Sequence, residues 1–154
     1  MRAQLNEESV VKANSQFWEQ MLAMKMDTLP VAEEFCVGDG HMLACVDLSG
    51  QWKGRIEVRM AGKLAYEATA AMLMQPVDPV GEADALDATK EIANMIAGVI
   101  KSSLPRPCSM DVPKSAVERK CFCGQTETED TLVVAFRHAA GDMMVRVWEQ
   151  ECLQ

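Results

Sequence analysis

The chain has 154 residues, of which 49% are apolar, and its 15 basic residues are outnumbered by 23 acidic ones, giving a formal charge of −8. This length and apolar content predict one domain spanning residues 1–154. Net negative charge repels phosphodiester backbones and anionic lipid, so neither nucleic-acid nor membrane-surface binding is expected. No segment approaches the ~20 apolar residues that cross a bilayer, and no signal peptide is recognisable, which predicts a cytoplasmic protein.

The first 60 residues contain a helical pattern followed by two alternating patterns. Apolar residues recur at helical spacing between positions 7 and 25, which predicts an amphipathic helix. From Met42 to Leu48 the pattern alternates, and Ser49-Gly50 supplies a turn before a second alternating run at 55–60. These runs predict a pair of strands with one wet face, as antiparallel sheets commonly have.

The remaining residues predict two helices and then three strands. A helix is predicted at 62–74, and a longer one at 82–104 ends before a proline-rich segment. Short strands are predicted at 118–123, 132–138 and 143–148, with a polar loop at 125–130 and a hairpin turn at 138–142. This order predicts an α+β fold in which long helices cover a largely antiparallel sheet.

The longer helix has two unlike faces. At about 100° per residue, Glu91, Asn94 and Gly98 fall on one polar stripe. The stripe also includes Asp84, Asp87 and, at its edge, Lys101. The opposite, apolar face comprises Leu86, Ile92, Ala93, Ile96, Val99, Ile100 and Leu104.

A solvated helix face would account for the charged members of this stripe but not for Asn94 and Gly98. Asparagine is a mediocre helix former, and a glycine inside a helix costs about 0.8–1 kcal/mol relative to alanine. Removing a side chain at Gly98, one turn beyond Asn94, lets another surface approach closely. The residues alone leave both interpretations open, because a helical glycine can have several causes.

The segment EIANMIAG, at 91–98, resembles the CheX-like chemotaxis phosphatases, relatives of CheC and of the phosphatase part of FliY. The signature of that family is a Glu-x-x-Asn pair on a long helix, followed by a glycine a turn later. The segments FWEQML and LSGQWKGRIEVRMAGKLAYEATAAML are similar to the family's opening helix and to its strand pair with the following helix. Val99 departs from the asparagine that often follows the glycine. The first helix lacks the second pair of CheC-type proteins, so the resemblance implies one site per chain.

The resemblance implies a hydrolase whose substrate is the phosphorylated aspartate of a response-regulator receiver domain of the CheY type. Glu91 and Asn94 would be the catalytic residues, with Asn94 positioning water, and Asp87, Gly98 and Lys101 would face the partner. The receiver would bring its own Mg²⁺, so no cofactor is expected on this chain. The resemblance also implies a homodimer built by pairing of sheets. The alternative is a non-catalytic docking or scaffold module related to the flagellar switch protein FliM, which would have no reason to display the Glu91/Asn94 pair.

Four of the six cysteines are scattered along the chain. Without an export signal, disulfides are not expected, and these cysteines are interpreted as reduced core or incidental thiols. They are Cys36, Cys45, Cys108 and Cys152.

The other two cysteines form a Cys121-Phe-Cys123 segment that places two thiols on one strand face. With Cys108 or His41 they could assemble a metal site. The Cys-x-Cys spacing is weak by itself and no second closely spaced ligand pair is present, so no metal is expected.

Overall fold

A computed structural model of the chain describes residues 6–30, 33–125 and 131–150. It has an α+β fold in which helices cover one face of a mostly antiparallel sheet, and this confirms the predicted fold class. The helices are α1 (Glu7–Ser15), α2 (Gly62–Leu73) and α3 (Glu82–Lys101). The strands are β1 (Asp27–Thr28), β2 (Glu34–Cys36), β3 (His41–Gly50), β4 (Gly54–Met60), β5 (Cys108–Met110), β6 (Lys114–Glu118), β7 (Cys123–Gln125), β8 (Leu132–His138) and β9 (Gly141–Glu149).

The long elements match the sequence predictions with small changes at their ends. The predicted helix at 7–25 is α1 followed by a π-helical segment, Gln16–Met21, and α3 ends at Lys101 rather than at 104. The first turn of α1 is capped by Asn6, whose Oδ1 accepts a hydrogen bond of 2.9 Å from the Ser9 amide. No helix in the described ranges is both long and apolar enough to cross a membrane.

The predicted strand at 118–123 is wrong. The chain instead forms β6, which ends at Glu118, and β7, which begins at Cys123. β6 pairs with β3, whereas β7 pairs with β2 in a separate sheet, so the intervening residues must carry the chain from one sheet to the other. Of the loop predicted at 125–130, Gln125 is the last residue of β7, and residues 126–130 lie outside the described residues. The short strands β1, β2 and β5 were not predicted because two or three residues display no period.

The main sheet has seven strands in the order β1-β8-β9-β4-β3-β5, with β6 also paired to β3. Every strand pair among the described residues is antiparallel. The long strand β3 holds the sheet together, because it pairs with β4 along one edge and with both β5 and β6 along the other. At the centre of the sheet the registers place apolar residues opposite one another, for example Val46 with Ile56 and Ile56 with Val147.

One face of this sheet is covered by the helices. Alternate residues of β3, β4, β8 and β9 point towards α1, α2 and α3 and form the larger hydrophobic core with them. Most are aliphatic or methionine side chains, with Trp18 and Trp52 as the largest fully buried members. The alternation that predicted strands at 42–48 and 55–60 is therefore the pattern that fills this core.

The opposite face of the sheet is covered in part by the small sheet β2–β7. Phe35 of β2 packs on Val133, Ala135 and Met144, which alternate with the strand residues that face the helices. The ring of Phe122 stacks on Phe35 with its centroid 6.0 Å away. A second, smaller core thus lies behind the sheet.

The rest of this opposite face carries charged residues that pair across the strands. The buried carboxylate of Glu57 accepts hydrogen bonds from Arg59 Nε at 2.8 Å and from Arg146 Nη2 at 2.9 Å. Arg55 donates two hydrogen bonds to Asp47, and that contact, opposed in part by burial, lowers the pKa of Asp47. Paired charges satisfy a sheet face that no helix covers.

Asp142, at the start of β9, joins the small sheet to the main one. Its carboxylate accepts hydrogen bonds from Arg137 Nε at 2.8 Å and Nη2 at 3.1 Å, and from the Cys36 amide at 3.1 Å. Burial by itself would raise the pKa of Asp142. The hydrogen bonds and the charge of Arg137 outweigh burial, so this pKa is lower than usual.

Replacing Asp142 with asparagine should therefore cost stability that depends on pH. A carboxyl group whose pKa is depressed by folding stabilises the protein above its unfolded pKa of about 3.9, and this contribution is lost as the pH falls through the lower folded value. We expect Asp142→Asn to lose on the order of 1 kcal/mol at neutral pH, and the gap to wild type to shrink below about pH 4. Urea unfolding at both pH values measures the gap. Asp39→Asn, at an exposed turn, should change neutral-pH stability by less than about 0.5 kcal/mol.

Candidate functional site

The candidate site lies on α3, which the core holds in a fixed orientation. Its buried side lies over β3 and beside α2. The residues on that side are small or branched and fully covered: Ala85, Ala88, Thr89, Ile92, Ala93, Ile96, Ala97 and Ile100. Because alanine leaves room for close approach, the helix can pack tightly on the sheet, and its polar side is then directed away from the core.

The structure brings the predicted site residues together on the outer side of α3. Glu91, Asp87 and Gly98 are exposed, and Asn94 and Lys101 are half-buried. Residues three or four apart on a helix have Cβ atoms about 5–6 Å apart, so Glu91 and Asn94 are neighbours on this surface. In the described part of the chain, neither the Glu91 carboxylate nor the Asn94 carboxamide has a hydrogen-bond partner. Both groups are available to a molecule that approaches from solvent.

Asp87 differs from the other members of this surface. Its Oδ1 lies 3.3 Å from Lys90 Nζ, an ion pair between residues three apart on the same helix. Such exposed pairs contribute only about 0.2–0.5 kcal/mol. Asp87 can therefore exchange this partner for an external one at little cost.

Val99 is not on the buried side of the helix, contrary to the sequence prediction. Val99 is 39% exposed and lines a groove at the end of α3, together with Lys12 of α1 and Gln16 of the π-helical segment. At about 100° per residue Val99 lies about 80° from Glu91, at the margin of the apolar face, and packing leaves this margin uncovered.

Gly98 is not required by packing within the described chain. A Cβ atom built at this position would meet no heavy atom of another element within 4 Å. The glycine lies beside a groove of about 520 Å³ that is lined by Gly98, Lys101, Ser102, Arg106, Pro107 and Cys108. Arg106 was not singled out from the sequence, because it lies between two prolines and outside any periodic pattern.

We predict that Gly98→Ala stabilises the protein by about 0.8–1 kcal/mol, since alanine is the better helix former and its methyl group has free space. Urea unfolding measures the change. Gly54→Ala is the matched control, because a Cβ at Gly54 would overlap the Trp148 carbonyl and the Trp52 ring. That control should be clearly destabilised. A loss of stability in Gly98→Ala would mean that the glycine is needed by the fold itself.

The cysteines are arranged differently from the sequence interpretation. Cys36 is not a reduced core thiol: it is exposed and forms a disulfide with Cys123, its register partner across β2 and β7. Cys121 is exposed, and its sulfur lies 3.3 Å from that of Cys123. Cys45 is half-buried and free, and burial raises the pKa of its thiol. Cys152 lies outside the described residues.

Cys108 and His41, which the sequence suggested as further metal ligands, do not lie beside Cys121 and Cys123; Cys36 does. Cys108 is buried at β5, where its sulfur donates to the Trp52 carbonyl. His41 is buried at the start of β3, donating from Nδ1 to the Gly38 carbonyl at 2.7 Å and accepting from Arg59 at Nε2 at 2.9 Å. The missed residue is Cys36, and no local spacing could indicate it, because it is 87 residues from Cys123.

The fold is that of the CheX- and CheC-like chemotaxis proteins. A CheX protein from Vibrio vulnificus superposes with a TM-score of 0.75 at 15% identity, covering 97% of this chain and 100% of that one. CheX from Desulfovibrio desulfuricans gives 0.72 at 20% identity, covering 93% and 97%. The CheX of a CheX–CheY–BeF3–Mg²⁺ complex from Borrelia burgdorferi gives 0.66 at 16% identity, covering 94% and 97%.

The sequence itself identifies the family. A family model described as "Chemotaxis phosphatase CheX" matches residues 42–137, and the chain therefore belongs to the CheX family. No curated protein sequence matches the chain significantly. The matched segment contains the whole of α3 and hence all of the predicted site residues.

Proposed function

We propose that this chain is a phosphatase that hydrolyses the aspartyl phosphate of a response-regulator receiver domain of the CheY type. Membership of the CheX family supports the class of activity. The observation that carries the proposal is the arrangement on α3: a carboxylate and a carboxamide three residues apart, neither with a hydrogen-bond partner among the described residues, beside a glycine that packing there does not require. The Borrelia burgdorferi complex, in which a CheX protein is combined with CheY, supports the choice of partner.

Asn94 is the residue to which we assign the positioning of water. An acyl phosphate is already activated towards hydrolysis, so catalysis requires placement of the nucleophile more than a strong base. A carboxamide can both accept a hydrogen bond from a water molecule and donate one to it. Asn94 would hold that water in line with the phosphorus once α3 lies against the receiver.

Glu91 is assigned to orientation of the complex. A carboxylate at this position can form a charge-assisted hydrogen bond with the lysine of the receiver's active site. Gly98 leaves clearance for the partner's surface, and Asp87 and Lys101 supply charges at the two ends of the contact. The groove beside Gly98, with Arg106 on its rim, extends this docking surface.

The Mg²⁺ ion in this reaction would belong to the receiver as part of the substrate, and we assign no cofactor to this chain for the hydrolysis. We also propose a cytoplasmic location, because response regulators act there, and a homodimer formed by pairing of sheets. Among the described strands, β5 and β6 lie along one edge of the main sheet and are candidates for this pairing.

Substitution of the two polar residues should separate their roles. We expect Asn94→Ala to lower kcat by about 100-fold with little change in KM, because the water is no longer positioned. Glu91→Gln should raise KM by about 10- to 100-fold, the equivalent of losing one charge-assisted hydrogen bond, and should also lower kcat. Phosphate release from a receiver charged with acetyl phosphate in Mg²⁺ measures both constants. Gln150→Ala, which removes an exposed amide just after β9, is the control and should match wild type.

Enlarging the residue at position 98 tests the docking surface. Gly98→Met should raise KM by about tenfold or more, because the larger side chain excludes the receiver, whereas Gly98→Ala should have a much smaller effect. Both variants should remain folded, because methionine and alanine are better helix formers than glycine. Binding of the receiver without any acceleration of phosphate release would favour the docking-module alternative. An unchanged rate in Asn94→Ala would refute the assignment of that residue.

A further inference from the structure

Three cysteine sulfurs converge on the small sheet behind the main one, a feature that the phosphatase proposal does not use. Cys36 ends β2 and Cys123 begins β7, and Cys121 precedes Cys123 by two residues. The Cys121 sulfur lies 3.1 Å from that of Cys36 and 3.3 Å from that of Cys123. All three residues are exposed, and their ligand atoms fall within 4.8 Å of one another.

A disulfide between Cys36 and Cys123 suffices to fasten β2 to β7, so the third thiol needs a different explanation. An exposed free cysteine is a liability, because it oxidises and exchanges with other thiols. Because the Cys121 sulfur lies beside those of Cys36 and Cys123, three soft ligand atoms are close enough together to bind one metal ion. That set is the kind that thiophilic metal ions select, and zinc sites are commonly built from three or four cysteines.

The backbone around the three thiols is held in place before any metal arrives. The residue between the two neighbouring cysteines, Phe122, turns inward: its ring stacks on Phe35 and lies under the guanidinium of Arg59, 4.2 Å from the ring centroid. Its inward direction turns Cys121 and Cys123 outward together. Cys36 is held by the hydrogen bond from its amide to Asp142.

To accommodate zinc, the Cys36 and Cys123 sulfurs must separate once their disulfide, a bond of about 2.05 Å in proteins, is reduced, and the contacts of Cys121 need only lengthen slightly. With Zn–S bonds of about 2.3 Å, two sulfurs on one tetrahedral ion lie about 3.8 Å apart. The two contacts of Cys121, at 3.1 and 3.3 Å, would each lengthen by about 0.5–0.7 Å. Rotation about cysteine side-chain bonds provides such a change without movement of the strands.

We propose that the reduced form of this chain binds one Zn²⁺ ion through Cys36, Cys121 and Cys123, with water or an external ligand in the fourth position. Reduction by two equivalents of a low-molecular-weight thiol adds two electrons and two protons to the Cys36–Cys123 bond, yielding two thiols and one external disulfide. Zn²⁺ then forms three Zn–S bonds and releases three protons. The disulfide form and the zinc form exclude one another, because both use Cys36 and Cys123.

This inference does not depend on the phosphatase activity. The three thiols lie on the small sheet, on the opposite face of the main sheet from α3. An effect of the metal on hydrolysis is therefore not part of the proposal, and the two proposals can fail separately.

Cobalt(II) is the probe for this site, because its spectrum reports both thiolate ligands and tetrahedral geometry. The full chain is reduced with a water-soluble phosphine, freed of reductant without oxygen, and titrated with Co²⁺. We expect one equivalent to bind, with thiolate-to-cobalt charge-transfer and tetrahedral ligand-field bands, and Zn²⁺ to abolish both. Cys121→Ser is the decisive variant, because it leaves the Cys36–Cys123 pair intact, and it should weaken Co²⁺ binding at least tenfold.

Two matched controls come from the other described cysteines. Cys45→Ser and Cys108→Ser alter thiols on β3 and β5 and should retain the wild-type cobalt spectrum. The proposal is overturned if the reduced wild type gives no thiolate–cobalt band. It is also overturned if Cys121→Ser binds cobalt as tightly as wild type, since the third thiol would then have no part in the site.

Discussion

The packing of α3 on the sheet is the constraint on which the rest of this structure depends. One side of the helix is fully buried against β3 and α2, and its small residues allow the backbone to approach the sheet closely. Because a helix fixed along one side cannot rotate, the opposite side must point outward. Glu91 and Asn94 therefore lie on the outer side of α3 with no hydrogen-bond partner among the described residues, and their direction is set by the buried residues Ile92, Ala93 and Ile96.

The main sheet separates two surfaces of different chemistry. The helix-covered face supports the Glu91/Asn94 stripe, and the other face carries paired charges and the small sheet with its three neighbouring cysteines. Burial of Glu57 between Arg59 and Arg146 shows how the second face is satisfied without a helix. Burial of that carboxylate without a partner would be costly. Its pairing with Arg59 on β4 and Arg146 on β9 offsets this cost and links the two strands.

The family likeness is preserved at low sequence identity. Matches at 15% to 20% identity cover nearly the whole chain and establish the fold. Helical spacing alone was enough to place Glu91, Asn94 and Gly98 on one surface, and the structure added the reason that Gly98 stands out: nothing within the described chain requires it. The same spacing placed Val99 on the apolar face, whereas the structure leaves it exposed at the margin of that face.

The sequence by itself determined the helices, the long strands and the composition of the polar stripe. Each of these follows from apolar and polar residues that alternate with a period of two in a strand or 3.6 in a helix. Only the tertiary structure decided that Glu118 ends a strand of the main sheet while Cys123 begins a strand of the small one. It also decided the short strands, the groove beside Gly98 and the contact of Cys36 with Cys121 and Cys123. These features join residues far apart along the chain, 87 positions in the case of Cys36 and Cys123. Local patterns carry no record of such contacts, which arise from the order in which strands pair across the sheets.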